Sequence, residues 1–129
     1  MANEAFVFTK LIVGDLDRSA AFYRDVAGLT EERRIEGAAG GRPMTEIILG
    51  GGPAGAATLI LYTHHGEPAP IPGDSILGFS TDDIAGFIDR LRKAGGTVTQ
   101  DITDLPDHRL KFALATDSEG HIVEAIERY

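Results

Sequence analysis

The chain has 129 residues, 43% hydrophobic and 25% charged, which suits one soluble domain large enough to build a core. Its formal net charge of −8 argues against nucleic acid and anionic membrane surfaces as partners, since both need a basic face. It has no cysteine, which excludes disulfides, thiolate metal ligands and a cysteine nucleophile and suits a reducing cytoplasm.

Phe6 to Val13 is rich in β-branched and aromatic residues and predicts a strand. Phe6, Phe8, Lys10 and Ile12 fall on one face of it, and Val7, Thr9, Leu11 and Val13 on the other. Asp15 or Asp17 caps the helix that follows, because its carboxylate can accept orphan backbone N–H groups. In that helix Leu16, Ala20, Tyr23 and Ala27 recur at helical spacing, and Phe22 and Val26 widen the stripe. Gly28 stops it. Leu29 to Glu36 predicts a short polar strand, and Gly37 to Gly41 a flexible connection. Strands are expected at Thr45 to Leu49 and Ala57 to His64. Residues 50–55 form a glycine-rich turn between them, which lacks the lysine and following helix of a phosphate loop.

The prolines of Gly66 to Asp74 mark a linker. Ser75 to Ser80 predicts the next strand. Asp82 or Asp83 caps a helix reaching Ala94, with Ile84, Phe87, Ile88 and Leu91 inward, and Gly95-Gly96 ends it. Strands then follow at Thr97 to Asp101, Leu110 to Ala115 and Ile122 to Ile126, with a tight turn at Asp117 to Gly120. Asp15-Leu16 and Asp83-Ile84 stand 68 residues apart, as do Gly28 and Gly96. The chain therefore repeats one unit. We expect a single α+β domain of two βαβββ modules, about 5–65 and 75–129, joined by the 66–74 linker. Their mixed sheets should curl around a cleft with the helices outside.

Gly14-Asp-Leu-Asp-Arg-Ser-Ala-Ala-Phe-Tyr23 with Ala27-Gly-Leu29, and Asp117-Ser-Glu-Gly-His-Ile-Val-Glu124, resemble the opening and closing segments of vicinal oxygen chelate proteins. That superfamily includes glyoxalase I, bleomycin-resistance proteins and extradiol dioxygenases. The resemblance covers essentially the whole chain. It implies metal ligands on the first and last strands of each module, positions that fall on Phe8, Ile60, Ile76 and Glu124. Three of these are hydrocarbon, and a divalent ion needs several converging N or O donors. The expectation is thus a protein with no metal or other cofactor, the alternative being a divalent metal at a non-standard site. Ile12 falls where glutathione-using relatives often carry arginine, which counts against glyoxalase I activity.

The function expected from this pattern is metal-independent binding of a hydrophobic or aromatic organic molecule, as in resistance by sequestration. The alternative is an enzyme of the same superfamily (a lyase, isomerase or dioxygenase), with Glu124 as base or a rebuilt metal site. Phe8, Ile60, Tyr62, Ile76 and Phe112 would supply packing surface. Glu124, on a face with Ile122 and Ile126, would be base or anchor. Lys10, on the Phe8 face, would pair with Glu124. His64 and His65 face opposite ways along a strand and form no chelating pair. Asp107-His108-Arg109 reads as a solvated cluster. The family's habits imply a cytoplasmic homodimer.

Overall fold

In the computed structural model, which describes residues 3–54 and 56–129, the repeat becomes two copies of one element order. The first copy is β1 (Phe8–Ile12), α1 (Leu16–Ala27), β2 (Thr30–Ala39), β3 (Arg42–Gly50) and β4 (Thr58–His64). The second is β5 (Ile76–Ser80), α2 (Ile84–Lys93), β6 (Thr97–Leu105), β7 (Leu110–Thr116) and β8 (Ile122–Arg128). The strands build two four-stranded sheets, β1-β4-β3-β2 and β5-β8-β7-β6. β1 lies parallel to β4 and β5 to β8, while every other pair is antiparallel. This is the α+β pattern of paired βαβββ modules.

The chain divides into two compact units. The first holds the residues up to Ala20 and Gly28–Pro70; the second holds Ala21–Ala27 and Ile71–Tyr129. The C-terminal half of α1 thus belongs with the second unit. In the first unit, alternation along the strands sends Leu11, Ile47, Leu49 and Leu61 to one face, where none is more than 6% exposed. Asp15 caps α1 by accepting the Arg18 N–H at 3.1 Å. In the second unit, Asp83 caps α2 by accepting the Gly86 N–H at 3.0 Å. α2 buries Ile84, Phe87, Ile88 and Leu91, the stripe expected from the sequence, and packs on β6, β7 and β8. The strand residues buried in this unit include small ones, Ala113, Ala115 and Ala125. Gly96 is required where helix meets sheet: a Cβ there would come within 2.7 Å of both the Leu91 side chain and the Thr116 carbonyl.

Some boundaries differ from expectation. The connection expected at 37–41 is mostly strand. β2 runs to Ala39, which pairs with Arg42, so Gly40 and Gly41 alone make the turn, with φ of 59° and 76°. Two consecutive positive φ values form the two-residue hairpin that matches strand twist. β6 continues past Asp101 to Leu105, with register shifts along its pairing to β7, and one 3-10 turn follows at Pro106–His108. β1 begins at Phe8, so Phe6 and Val7 precede the strand. Gly55, the end of the expected 50–55 turn, lies outside the described residues. Among those residues no helix is long and apolar enough to cross a membrane.

Candidate functional site

β8 alternates Val123 and Ala125, each 1% exposed in the core, with Ile122, Glu124 and Ile126 on the opposite face. Glu124 is half-buried there. Its cross-strand neighbours are Leu114 on β7 and Gly78 on β5. A Cβ at Gly78 would meet nothing within 4 Å. The carboxylate therefore has hydrocarbon on one side and open space on the other. Phe112 stands opposite Ile126, and Ile76 opposite Ile122. The three residues expected from the second module thus share one face of one sheet.

The four residues expected from the first module also share a face. Lys10 lies opposite Ile60, and Tyr62 follows Ile60 two residues along β4. Phe8 and Lys10 alternate likewise on β1. The Lys10 ammonium is 5.6 Å from the centroid of the Phe8 ring and 5.2 Å from that of Tyr62. The expected Lys10–Glu124 pair is corrected by its actual partner, Glu46 on β3, with Nζ 2.9 Å from Oε2. β4 lies between β1 and β3, so the Lys10 and Glu46 side chains together bridge about two strand spacings of roughly 4.8 Å each. On the intervening strand Ile60 stands opposite Lys10 and Tyr62 opposite Glu46, each 7% exposed, so the pair crosses β4 diagonally. Glu46 is itself 7% exposed, and a carboxylate so buried needs a countercharge. The ammonium approaches Oε2 closely, yet that oxygen receives no well-aligned hydrogen bond, so the contact is an ion pair held by charge and distance.

Glu46 was absent from the expected site. Its signal was present in the sequence: it shares strand parity with Met44 and Ile48 on either side, an acidic residue between two apolar ones on one face. Glu124 shows the same pattern with Ile122 and Ile126, although it was its place at a ligand position of the resembled family that drew attention to it.

Where β1 and β4 end, the first unit carries a cavity of about 250 Å³, with Ile12, Arg42, His64 and Glu67 in its wall. Arg42 and Glu67 form a two-pronged ion pair, with Nε 2.9 Å from Oε2. It holds the guanidinium above, and the carboxyl below, their usual ionisation ranges. The His64 ring stands edge-on to Tyr62 with centroids 4.8 Å apart, and its buried Nδ1 has no hydrogen-bond partner. His65 pairs through Nε2 with Thr45 Oγ1 at 2.6 Å.

The closing turn of the second unit has a structural task. Asp117 accepts the backbone N–H groups of Glu119 and His121 at 2.8 and 3.0 Å. Its Oδ2 also accepts the Tyr23 hydroxyl at 2.6 Å and lies 2.8 Å from His121 Nδ1. Burial first, and the Asp117 charge second, push the Tyr23 phenol far above its usual range. Arg109 follows the 3-10 turn and donates Nε–H to the Tyr129 carbonyl at 3.0 Å. The Asp107–Arg109 cluster is exposed, as expected.

Comparison with known proteins adds three likenesses. A probable lactoylglutathione lyase of Vibrio cholerae is 29% identical over 98% of this chain and 93% of its own length. A glyoxalase family protein from Bacillus cereus superposes with a TM-score of 0.81 at 18% identity, covering 98% of this chain and 97% of that one. A variant of glyoxalase I from Zea mays superposes with a TM-score of 0.74 at 23% identity over 94% of this chain, which spans only 45% of the maize chain. Lactoylglutathione lyases are typically metal-dependent, and this overturns the expectation of a protein without a cofactor. The side chains at the ligand positions nonetheless fit such an ion poorly. Phe8, Ile60 and Ile76 offer no donor atom and Glu124 offers one carboxylate. The model of the Glyoxalase/Bleomycin resistance protein/Dioxygenase superfamily matches residues 5–125. The chain belongs to that superfamily.

Proposed function

We propose that the chain is an enzyme of this superfamily, of the lyase or isomerase kind, with Glu124 as the group that moves a proton on a small organic substrate. This replaces the sequestering role expected from the sequence. The curated relatives support it: those matched over 93% and 89% of their length are named as lactoylglutathione lyases, one of them as probable. The observation that carries it is the half-buried Glu124 carboxylate, with Leu114 on one side and the space at Gly78 on the other. A carboxylate so placed can take a proton from a hydroxyl-bearing carbon beside a carbonyl and return it to the carbonyl carbon, while the hydroxyl proton passes to the former carbonyl oxygen, so the substrate is isomerised with no atom gained or lost. No electrons enter or leave in that exchange.

The relatives' name makes lactoylglutathione the first compound to test, followed by glutathione-free hydroxycarbonyl compounds. Assays should include added divalent ions. Glu124→Gln is expected to lower kcat by about 100-fold or more while the protein stays folded. A variant as fast as the parent would remove Glu124 from the reaction, and absence of turnover across the panel would remove the enzyme. We take the working form to be a cytoplasmic homodimer. Large apolar side chains on the surface, including Phe6, Val7, Ile71 and Ile76, support the dimer.

A further inference from the structure

Lys10 stands as a cation among exposed hydrocarbon. Phe8 and Ile12, two residues before and after it on the same face, are 45% and 38% exposed. Its own side chain is 37% exposed, whereas that of its partner Glu46 is 9% exposed. The carboxylate is thus the inward member of the pair and the ammonium the outward one. An ammonium has three donors, and Glu46 draws on this one without a directed hydrogen bond. The Phe8 and Tyr62 rings, at 5.6 and 5.2 Å, hold the charge in place, so little freedom remains to be lost when another acceptor arrives.

We infer that Lys10 anchors the carboxylate of an organic anion whose apolar body lies on Phe8 and Ile12. The Lys10–Glu46 pair is neutral overall, and the protein carries a net charge of −8, so nothing draws anions in from a distance. Recognition needs charge and hydrocarbon together. The site therefore selects apolar carboxylates over small hydrophilic anions. A cationic ligand is disfavoured because Lys10 already occupies the Glu46 carboxylate. The site lies wholly within the first unit and does not depend on turnover at Glu124.

The test is a titration of isotope-labelled protein followed by backbone amide shifts. The probes are phenylacetate, acetate, 2-phenylethanol and 2-phenylethylamine. Phenylacetate is expected to move the amides of residues 8–12 and to bind at least tenfold more tightly than the other three. Lys10→Arg should keep that preference and Lys10→Met should lose it. Lys10→Met alone leaves Glu46 buried and unpaired, so the double variant Lys10→Met/Glu46→Gln is measured beside it and should bind phenylacetate and 2-phenylethanol alike. Equal binding of those two probes by the parent protein would overturn the inference. So would stronger binding of the amine, or a phenylacetate preference that survives in the folded double variant.

Discussion

Tyr23 and Asp117 lie far apart in the chain, and their hydrogen bond ties the end of α1 to the β7–β8 turn within the second unit. Tyr23 is 1% exposed and Asp117 4%. Removing the hydroxyl by Tyr23→Phe should cost about 2 kcal/mol, the usual scale for a hydrogen bond to a charged group. Asp117 keeps His121 and two backbone donors, so the loss should stop there. The pH dependence carries a definite sign. In the folded protein Tyr23 stays neutral well past the ordinary phenol value of about 10, while in the unfolded chain it ionises near that value. Above it the unfolded state binds fewer protons, so stability falls as pH rises. Below it the contribution is whole. Denaturant curves across alkaline pH should show the parent losing stability faster than Tyr23→Phe, with the gap between them closing. A constant gap would mean that the Tyr23 phenol ionises at the same pH folded and unfolded, and so is not raised by the fold. In the sequence Tyr23 reads only as part of an apolar stripe. Its polar end and the partner across the unit are set by packing, which periodicity does not encode. Lys10 and Glu46 illustrate the same limit. Each is visible as a charged residue on an apolar face, but the pair joins strands that are not neighbours in the sheet.

The β2–β3 hairpin separates what residue type says from what backbone pairing says. Ala38 and Ala39 have little strand preference and stand beside glycines, so residues 37–41 look like a flexible link. The backbone pairs through Ala39 and Arg42 regardless, leaving two glycines at positive φ. Gly40→Asn should leave stability nearly unchanged, because asparagine tolerates this conformation at the first position of such a turn. Gly41→Val should cost about 1–2 kcal/mol, since a β-branched side chain resists positive φ. Urea midpoints of the two variants would decide the matter, and equal losses would mean the turn tolerates any residue. Elsewhere the signals agreed with each other, and the elements were legible. Asp83, the Ile84–Phe87–Ile88–Leu91 stripe and the closing glycines fix α2 from start to stop. β6 was legible only in its first half, because its second half, Ile102 to Leu105, is largely exposed, apolar residues included, and is held mainly by irregular backbone pairing to β7.

At the scale of the whole molecule, exposed hydrocarbon and net charge act in opposite directions on association. Phe6 is 77% exposed, Val7 56%, Ile71 92% and Ile76 56%. Burying a side chain of this kind gains about 1.5–3 kcal/mol, enough for a few of them to drive association. The opposing force is the formal charge of −8 on each chain, which makes two copies repel one another. Salt screens that repulsion without weakening apolar contact. A homodimer built on these residues should therefore tighten as salt rises, the reverse of one held by ion pairs. Light scattering after size exclusion should give twice the 13.8 kDa of one chain at moderate salt, and the thermal midpoint should climb with protein concentration. Phe6→Ser and Ile71→Ser should each weaken the dimer about tenfold, which corresponds to roughly 1.4 kcal/mol. A mass of 13.8 kDa at every concentration and salt level would leave these side chains to some other partner.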